Sequence, residues 1–217
     1  MTTALDPDLV PGLADAEDAA WRHLARPGTW WTGAERVAIA AAARAARPPA
    51  AGEPAPETHR PGDDTLDELT LEVARTVSVD AHTIDPERYT GWVARGLHPF
   101  AYVEMVGIIA RLTALDTTRR GLGLAPRPLP APDPGQPSRL VPEGAAPRGG
   151  WAPTVGRADA VQALSAVPAE REALFALHPV LYLSLEEMAD FTIVKGLSRT
   201  QLELLAGRTS RLNDCFY

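Results

Sequence analysis

An all-α fold is the first expectation from this sequence. Apolar residues recur at helical spacing along most of the chain, and capping and stop signals bracket those runs. No stretch sustains the period-two alternation that marks a half-buried strand. At 217 residues with 45% hydrophobic side chains, there is enough material for one large domain or two small ones.

The first helix is expected over 11–26, where Leu13, Ala16, Ala20 and Leu24 share a face and Pro27-Gly28 stops the run. The second covers 36–47. Thr32 suits its N-cap, Glu35 follows at the spacing of a capping box, and Pro48-Pro49 ends it. Trp30-Trp31 stand just before that cap, where aromatic residues serve as a hydrophobic staple more readily than as a ligand pocket. Residues 48–62, rich in Pro, Ala, Gly and Glu, read as a flexible excursion. Over 66–78, Leu66, Leu69, Val73 and Val77 lie on one helical face. Asp85-Pro86 supplies an N-cap with proline at the first helical position, and Gly96 closes that short helix. From Pro99, the residues Phe100, Val103, Val106, Ala110 and Thr113 form a stripe flanked by Ile108 and Ile109. Cations in the last turn and Gly121 end it at Arg119-Arg120. Nine prolines and four glycines between 125 and 153 mark a linker. Helical signals resume over 158–164, over 170–183 with a break at Pro179, over 185–191, and from Ser198 to the end.

Composition removes several function classes. The net charge of −7 and the scattered arginines provide no basic stripe, so nucleic acid is not an expected partner. No run of about 18 apolar residues exists for a membrane span, and the N-terminus lacks a secretory pattern. A cytoplasmic protein is the resulting expectation. One cysteine cannot build a disulfide framework. Neither His59, His82 and His98 nor any other histidines stand at metal-ligand spacing, so no metal is expected, and no cofactor is implied. Gly121-Leu122-Gly123 follows a helix instead of opening one, which excludes a phosphate loop. Glu186-Glu187 read as solvent-facing residues, since adjacent helical positions diverge by about 100°.

The chemically suggestive stretch is 197–217. Ser198 is a good N-cap, Glu203 sits in the second turn, and Cys215 lies twelve residues further on. On one straight helix those two would be about 18 Å apart along the axis, so they meet only if the chain turns or another helix folds back. Asn213-Asp214 is a natural turn and new N-cap, which would put Cys215 at a helix N-terminus where the dipole favours thiolate.

The order Leu197-Ser198, Glu203-Leu204, Ala206, Thr209-Ser210, Leu212-Asn213, Cys215 and Tyr217 resembles the active-site segment of the alkylhydroperoxidase-D-like, or carboxymuconolactone decarboxylase, family. That resemblance implies a helical bundle in which Cys-x-x-Cys is followed by a histidine one turn later. It assigns Cys215 as the resolving cysteine and Glu203 as a proton-relay acid. The attacking residue, at position 218, and the histidine, at position 222, would lie past Tyr217. Residues 66–124 resemble the helical tail that follows the active-site hairpin, marked by Leu66-Asp67-Glu68, Ile84-Asp85-Pro86, Gly96-Leu97 and the long apolar helix. Trp31 to Val37 then match the start of a first repeat. Setting Thr32 opposite Ser198 puts Val37 opposite Glu203 and Pro49 opposite Cys215, so that repeat has lost both acid and thiol.

The expected organisation is a degenerate first repeat (1–124), a Pro/Gly-rich linker (125–153) and the start of a second, redox-type repeat (154–217) truncated at its motif. Some family members carry Cys-x-x-selenocysteine, so a UGA codon read as a stop would account for the truncation. The function this implies is a thiol- or selenol-dependent peroxidase-like oxidoreductase acting on a small-molecule peroxide with a dithiol or thioredoxin-like reductant. The 217-residue chain alone is expected to be inactive or weak. A homo-oligomer is expected, and the alternative is a non-catalytic helical scaffold or oligomerisation protein of the same fold.

Overall fold

The computed structural model describes residues 10–48 and 64–215. All but Pro48 of the 48–62 excursion, with His59, lies outside the described residues, as do Phe216 and Tyr217. The chain is mostly helical. In order, it forms α1 (Leu13–Ala25), α2 (Gly33–Ala46), α3 (Glu68–Val79), a 3₁₀ turn at Ala81–Thr83, α4 (Pro86–Ala94) and α5 (Pro99–Gly121). There follow β1 (Ala145–Pro147), β2 (Pro153–Val155), α6 (Pro168–Phe175), α7 (His178–Leu181), α8 (Leu185–Ala189), β3 (Val194–Lys195), β4 (Leu197–Ser198) and α9 (Arg199–Leu212). Each pair of strands is a minimal antiparallel hairpin, with Ala146 opposite Thr154 and Val194 opposite Ser198. Two or three residues are too few to show alternation, so these hairpins left no mark on the sequence pattern.

Local chemistry starts the helices where expected. Thr32 Oγ1 accepts the Glu35 N–H, and Glu35 Oε2 accepts the Thr32 N–H at 2.7 Å, completing the capping box of α2. Asp67 and Asp85 cap α3 and α4 by accepting the N–H of Thr70 and Arg88, each at 2.7 Å. Two expectations shift. Residues 160–166 form consecutive turns instead of a helix, because Asp159 Oδ1 takes the Gln162 N–H and Ser165 Oγ takes that of Val155. The break expected at Pro179 falls earlier, between α6 and α7, and Pro179 sits within the first turn of α7 where its missing N–H costs nothing.

At 23 residues, α5 is about 35 Å long and packs against α1, α2, α3 and α6. Ile39, Val73, Met105, Ile108 and Leu115 are at most 1% exposed at the centre of the core. Buried Ala38, Ala40, Ala42 and Ala43 let α2 lie close to its neighbours, since an alanine face keeps the interaxial distance short. A second cluster joins Trp30, Ala101 and Val103 to Leu164, Ala166 and Val167, so the turns before α6 pack on α5.

The proline-rich stretch expected as a linker runs without helix or strand from 124 to 142, and it is tied down. Trp21 Nε1 donates to Pro128 O at 2.6 Å and Arg44 Nη1 to Arg127 O at 3.0 Å. Asp133 N donates to Ala25 O, Ser138 N to Gly28 O and Arg139 N to Thr29 O. Proline carries no N–H but keeps its carbonyl, so such a stretch can serve as an acceptor for helix side chains. At the other extreme, α9 buries only Arg199, and Leu204, Leu205 and Leu212 stay more than half exposed. Among the described residues, no helix is long and apolar enough to cross a membrane.

Candidate functional site

Glu203 lies on α9, where Arg199 Nη1, one turn earlier, pairs with its carboxylate. Tyr182 OH donates to Glu203 Oε1 at 2.9 Å, and Arg199 also reaches Tyr182 OH and Met188 O. Cys215 is exposed and follows Asn213, the C-cap of α9, with its N–H given to Ser210 O at 3.0 Å. Asn213 and Asp214 therefore close α9; the helix expected to open at Cys215 falls on residues outside the described ones. Nine helical steps from Glu203 to Leu212 cover about 14 Å. Within the described residues, then, Glu203 and Cys215 are not brought together.

The strongest concentration of functional groups lies elsewhere, inside the bundle. Glu104 and Arg111 on α5, Arg36 on α2 and Glu170 on α6 are each at most 2% exposed. Arg36 Nη1 pairs with Glu104 Oε1, and reaches Glu170 Oε1 at 2.9 Å. Arg111 Nη1 pairs with Glu170 Oε2 at 2.5 Å. Glu104 Oε2 also accepts the N–H groups of Thr29 and Trp30 at 3.0 and 2.6 Å, fixing the loop between α1 and α2. His23 Nε2, on α1, lies 2.8 Å from Glu170 Oε1, and Arg36 Nη2 donates to the His23 carbonyl.

Two arginines and two carboxylates make the buried set neutral, so its charges compensate one another. Burial opposes ionisation of Glu170, yet Arg111 and Arg36 hold its carboxyl well below the usual carboxylate range. Burial pushes Glu104 the other way, against the pull of Arg36 and the Trp30 N–H. Burial lowers Arg111 from the usual guanidinium value against the attraction of Glu170. A guanidinium does not give up its proton in a protein, so the Arg111–Glu170 pair stays ionised. Burial likewise lowers His23, with Glu170 opposing and the two arginines assisting. The imidazole is therefore neutral near pH 7, with Nε2–H donated to Glu170.

Room for this cluster comes from two glycines. A Cβ on Gly28 would fall 1.8 Å from Glu104 Oε1, and one on Gly107 would fall 2.8 Å from the Cβ of Glu170. Sequence reasoning passed over all five residues of the cluster. A signal was present: between Pro99 and Leu115, Glu104 and Arg111 are the lone charges in an otherwise apolar run. Seven residues apart, they share a helical face, and Gly107 lies between them. Nothing local pointed to Arg36, Glu170 or His23, whose side-chain ion-pair partners lie 59 or more residues away.

Among the described residues, no group of three His, Cys, Asp or Glu side chains is placed to hold a metal ion. Family models, curated proteins and solved structures yield no match to this chain.

Glu170→Gln leaves Arg111 buried without its counter-charge, and chemical unfolding is expected to show a loss of about 3–5 kcal/mol. In an open helix Gly→Ala adds up to about 1 kcal/mol; Gly107→Ala is expected instead to destabilise, because its methyl displaces α6.

Stability should also fall with acid in two stages. A histidine whose folded pKa is lowered gives its full contribution above about pH 6.5 and loses it as pH drops toward the folded value. His98 and His178 are lowered by burial as well and act with the same sign. The contribution of Glu170 is complete above about pH 4.3 and is lost as pH falls through its depressed value, while Glu104, raised, works oppositely. Urea unfolding of His23→Gln should show a shallower decline between neutrality and about pH 5 than the parent. Equal slopes would place His23 outside this linkage.

Proposed function

We propose that this chain supplies the helical scaffold and the resolving thiol of a thiol- or selenol-dependent peroxidase-like oxidoreductase of the alkylhydroperoxidase-D-like kind. The observation that carries the reading is the exposed Cys215 just past the end of a helix that also holds Glu203, in the order and spacing of that family's segment. The mostly helical fold is compatible with it. The contacts of Glu203 with Tyr182 and Arg199 support a proton-handling role, because they tie its carboxylate to a hydroxyl able to carry a proton.

In this reaction an attacking thiolate or selenolate takes the terminal oxygen of a hydroperoxide as the O–O bond breaks. The alkoxide leaves as alcohol after gaining a proton, and the attacking group becomes a sulfenic or selenenic acid. The Cys215 thiolate then displaces water from that sulfur or selenium, and a dithiol reduces the bond that forms. The sequence holds a single cysteine, so the attacking group is not among its 217 residues. Alone, Cys215 can reach a sulfenic acid or a mixed disulfide but cannot close an internal cycle.

Peroxide consumption with a dithiol reductant tests the reading. The 217-residue chain should show no sustained turnover. A form extended past Tyr217 with a cysteine at position 218 and a histidine at 222 should turn over, and Cys215→Ser should abolish that activity. An extended form without activity, or one indifferent to Cys215→Ser, overturns the reading.

A second reading, a non-catalytic scaffold that self-associates, is favoured by the apolar surface near the C-terminus. Phe191, Val194, Leu204 and Leu212 are each at least 70% exposed. Large apolar side chains left in water at one end of a chain are candidates for an association surface. Under this reading, light scattering should find an oligomer that Leu204→Glu with Leu212→Glu converts to monomer, and a monomeric parent removes it.

A further inference from the structure

Helices α1 and α6 face each other across an open cleft of about 480 Å³. Its walls are mostly methyl groups, contributed by alanines such as Ala20 on α1 and Ala173 on α6. Arg22, His23 and Arg26 lie along the α1 wall, and Glu172 stands on the α6 side. Arg22 and His23 are on the last turn of α1 and Arg26 is its extended C-cap, and all three line the cleft. Arg22 and Arg26 are exposed, and neither makes a hydrogen bond or ion pair among the described residues. Nearby surface arginines do find partners: Arg119 pairs with Glu17 and Arg127 with Asp18.

His23 joins the cleft to the buried cluster. Its Nε2 is committed to Glu170, itself held by Arg36 and Arg111, while 28% of its side chain remains exposed. His23 lines the cleft, and its Nδ1 makes no hydrogen bond among the described residues. Donation of Nε2–H to Glu170 fixes the tautomer and leaves Nδ1 as a lone-pair acceptor. The cleft thus combines an apolar wall, a fixed proton acceptor and two unpaired guanidinium groups.

We propose that the α1–α6 cleft binds a small aliphatic hydroxy acid, with its carboxylate on Arg22 and Arg26, its carbon chain against the alanines, and its hydroxyl donated to His23 Nδ1. Glu172 at the opposite side disfavours a second negative charge, which selects monoanions over dianions. A guanidinium pair takes a carboxylate through charge-assisted hydrogen bonds, and the methyl walls accept about four carbons without asking for further polar partners. The site is independent of Cys215 and of the peroxidase reading.

Titration of the whole chain with sodium 3-hydroxybutyrate, followed through the histidine ring signals by NMR, tests the proposal. Assignment of the His23 signal comes from its absence in His23→Gln, a variant whose amide still reaches Glu170. The His23 signal is expected to shift saturably at ligand concentrations below about 10 mM. Arg22→Gln with Arg26→Gln, at exposed positions that leave the core untouched, should weaken binding about tenfold. Measured by titration calorimetry, butyrate, which lacks the hydroxyl, should bind several-fold more weakly than 3-hydroxybutyrate, and His23→Gln should erase that difference. A His23 signal that does not saturate, one that responds equally in the arginine variant, or equal affinity for butyrate overturns the proposal.

Discussion

Glu170 enters the bundle as a carboxylate only 1% exposed, and the guanidinium groups of Arg36 and Arg111, with the His23 ring, make that position tolerable. An isolated carboxylate buried in this way would cost many kcal/mol and would take up a proton instead. The two arginines come from α2 and α5, and Arg36 is shared with Glu104, so three helices must adopt one relative placement for the charges to cancel. Apolar packing tolerates sliding and rotamer exchange at modest cost. A closed set of ion pairs does not, because a slip of one turn leaves a charge alone. The cluster therefore fixes where α6 sits on α5, and through the Thr29 and Trp30 N–H groups it fixes the loop joining α1 to α2.

The remaining contacts make room for that arrangement. Gly28 and Gly107 clear space at the two places where the carboxylates approach backbone. The alanine face of α2 keeps the helices close enough for side chains of ordinary length to meet across them. Asp116 repeats the theme nearer the surface, holding Arg44 through two hydrogen bonds and Arg47 through one. Arg44 then passes to the proline-rich stretch through the Arg127 carbonyl. Chain that carries no secondary structure is in this way bound to the bundle, and the polypeptide after it returns to pack α6 on α5.

The two ends of the described chain differ in character. Between α1 and α6 one set of charged groups, Arg36, Glu104, Arg111 and Glu170, is buried and paired within the fold. From α8 to α9 the apolar groups are exposed, and the groups that carry the proposed redox chemistry, Cys215 and Glu203, lie on that open surface. The peroxidase and scaffold readings share this feature, since both need something else to meet α9: an attacking thiol or selenol in one, a second subunit in the other.

Much of the fold was legible in the residue order. Capping boxes, Asp85-Pro86, the proline stops and the apolar spacing of α5 act over three or four residues, so α1 to α5 start and end near where those signals fall. The turns at 160–166 escaped because side-chain bonds from Asp159 and Ser165 competed with the helix that the apolar spacing suggested. For the site, the sequence by itself supplied Cys215 and Glu203 with their spacing, and in α5 two charges on one face of an apolar helix. Only the tertiary structure decided that those two charges meet Arg36, Glu170 and His23. The physical reason is range: propensity and capping act between neighbours along the chain, whereas a buried charge is matched by whichever partner packing brings within about 3 Å.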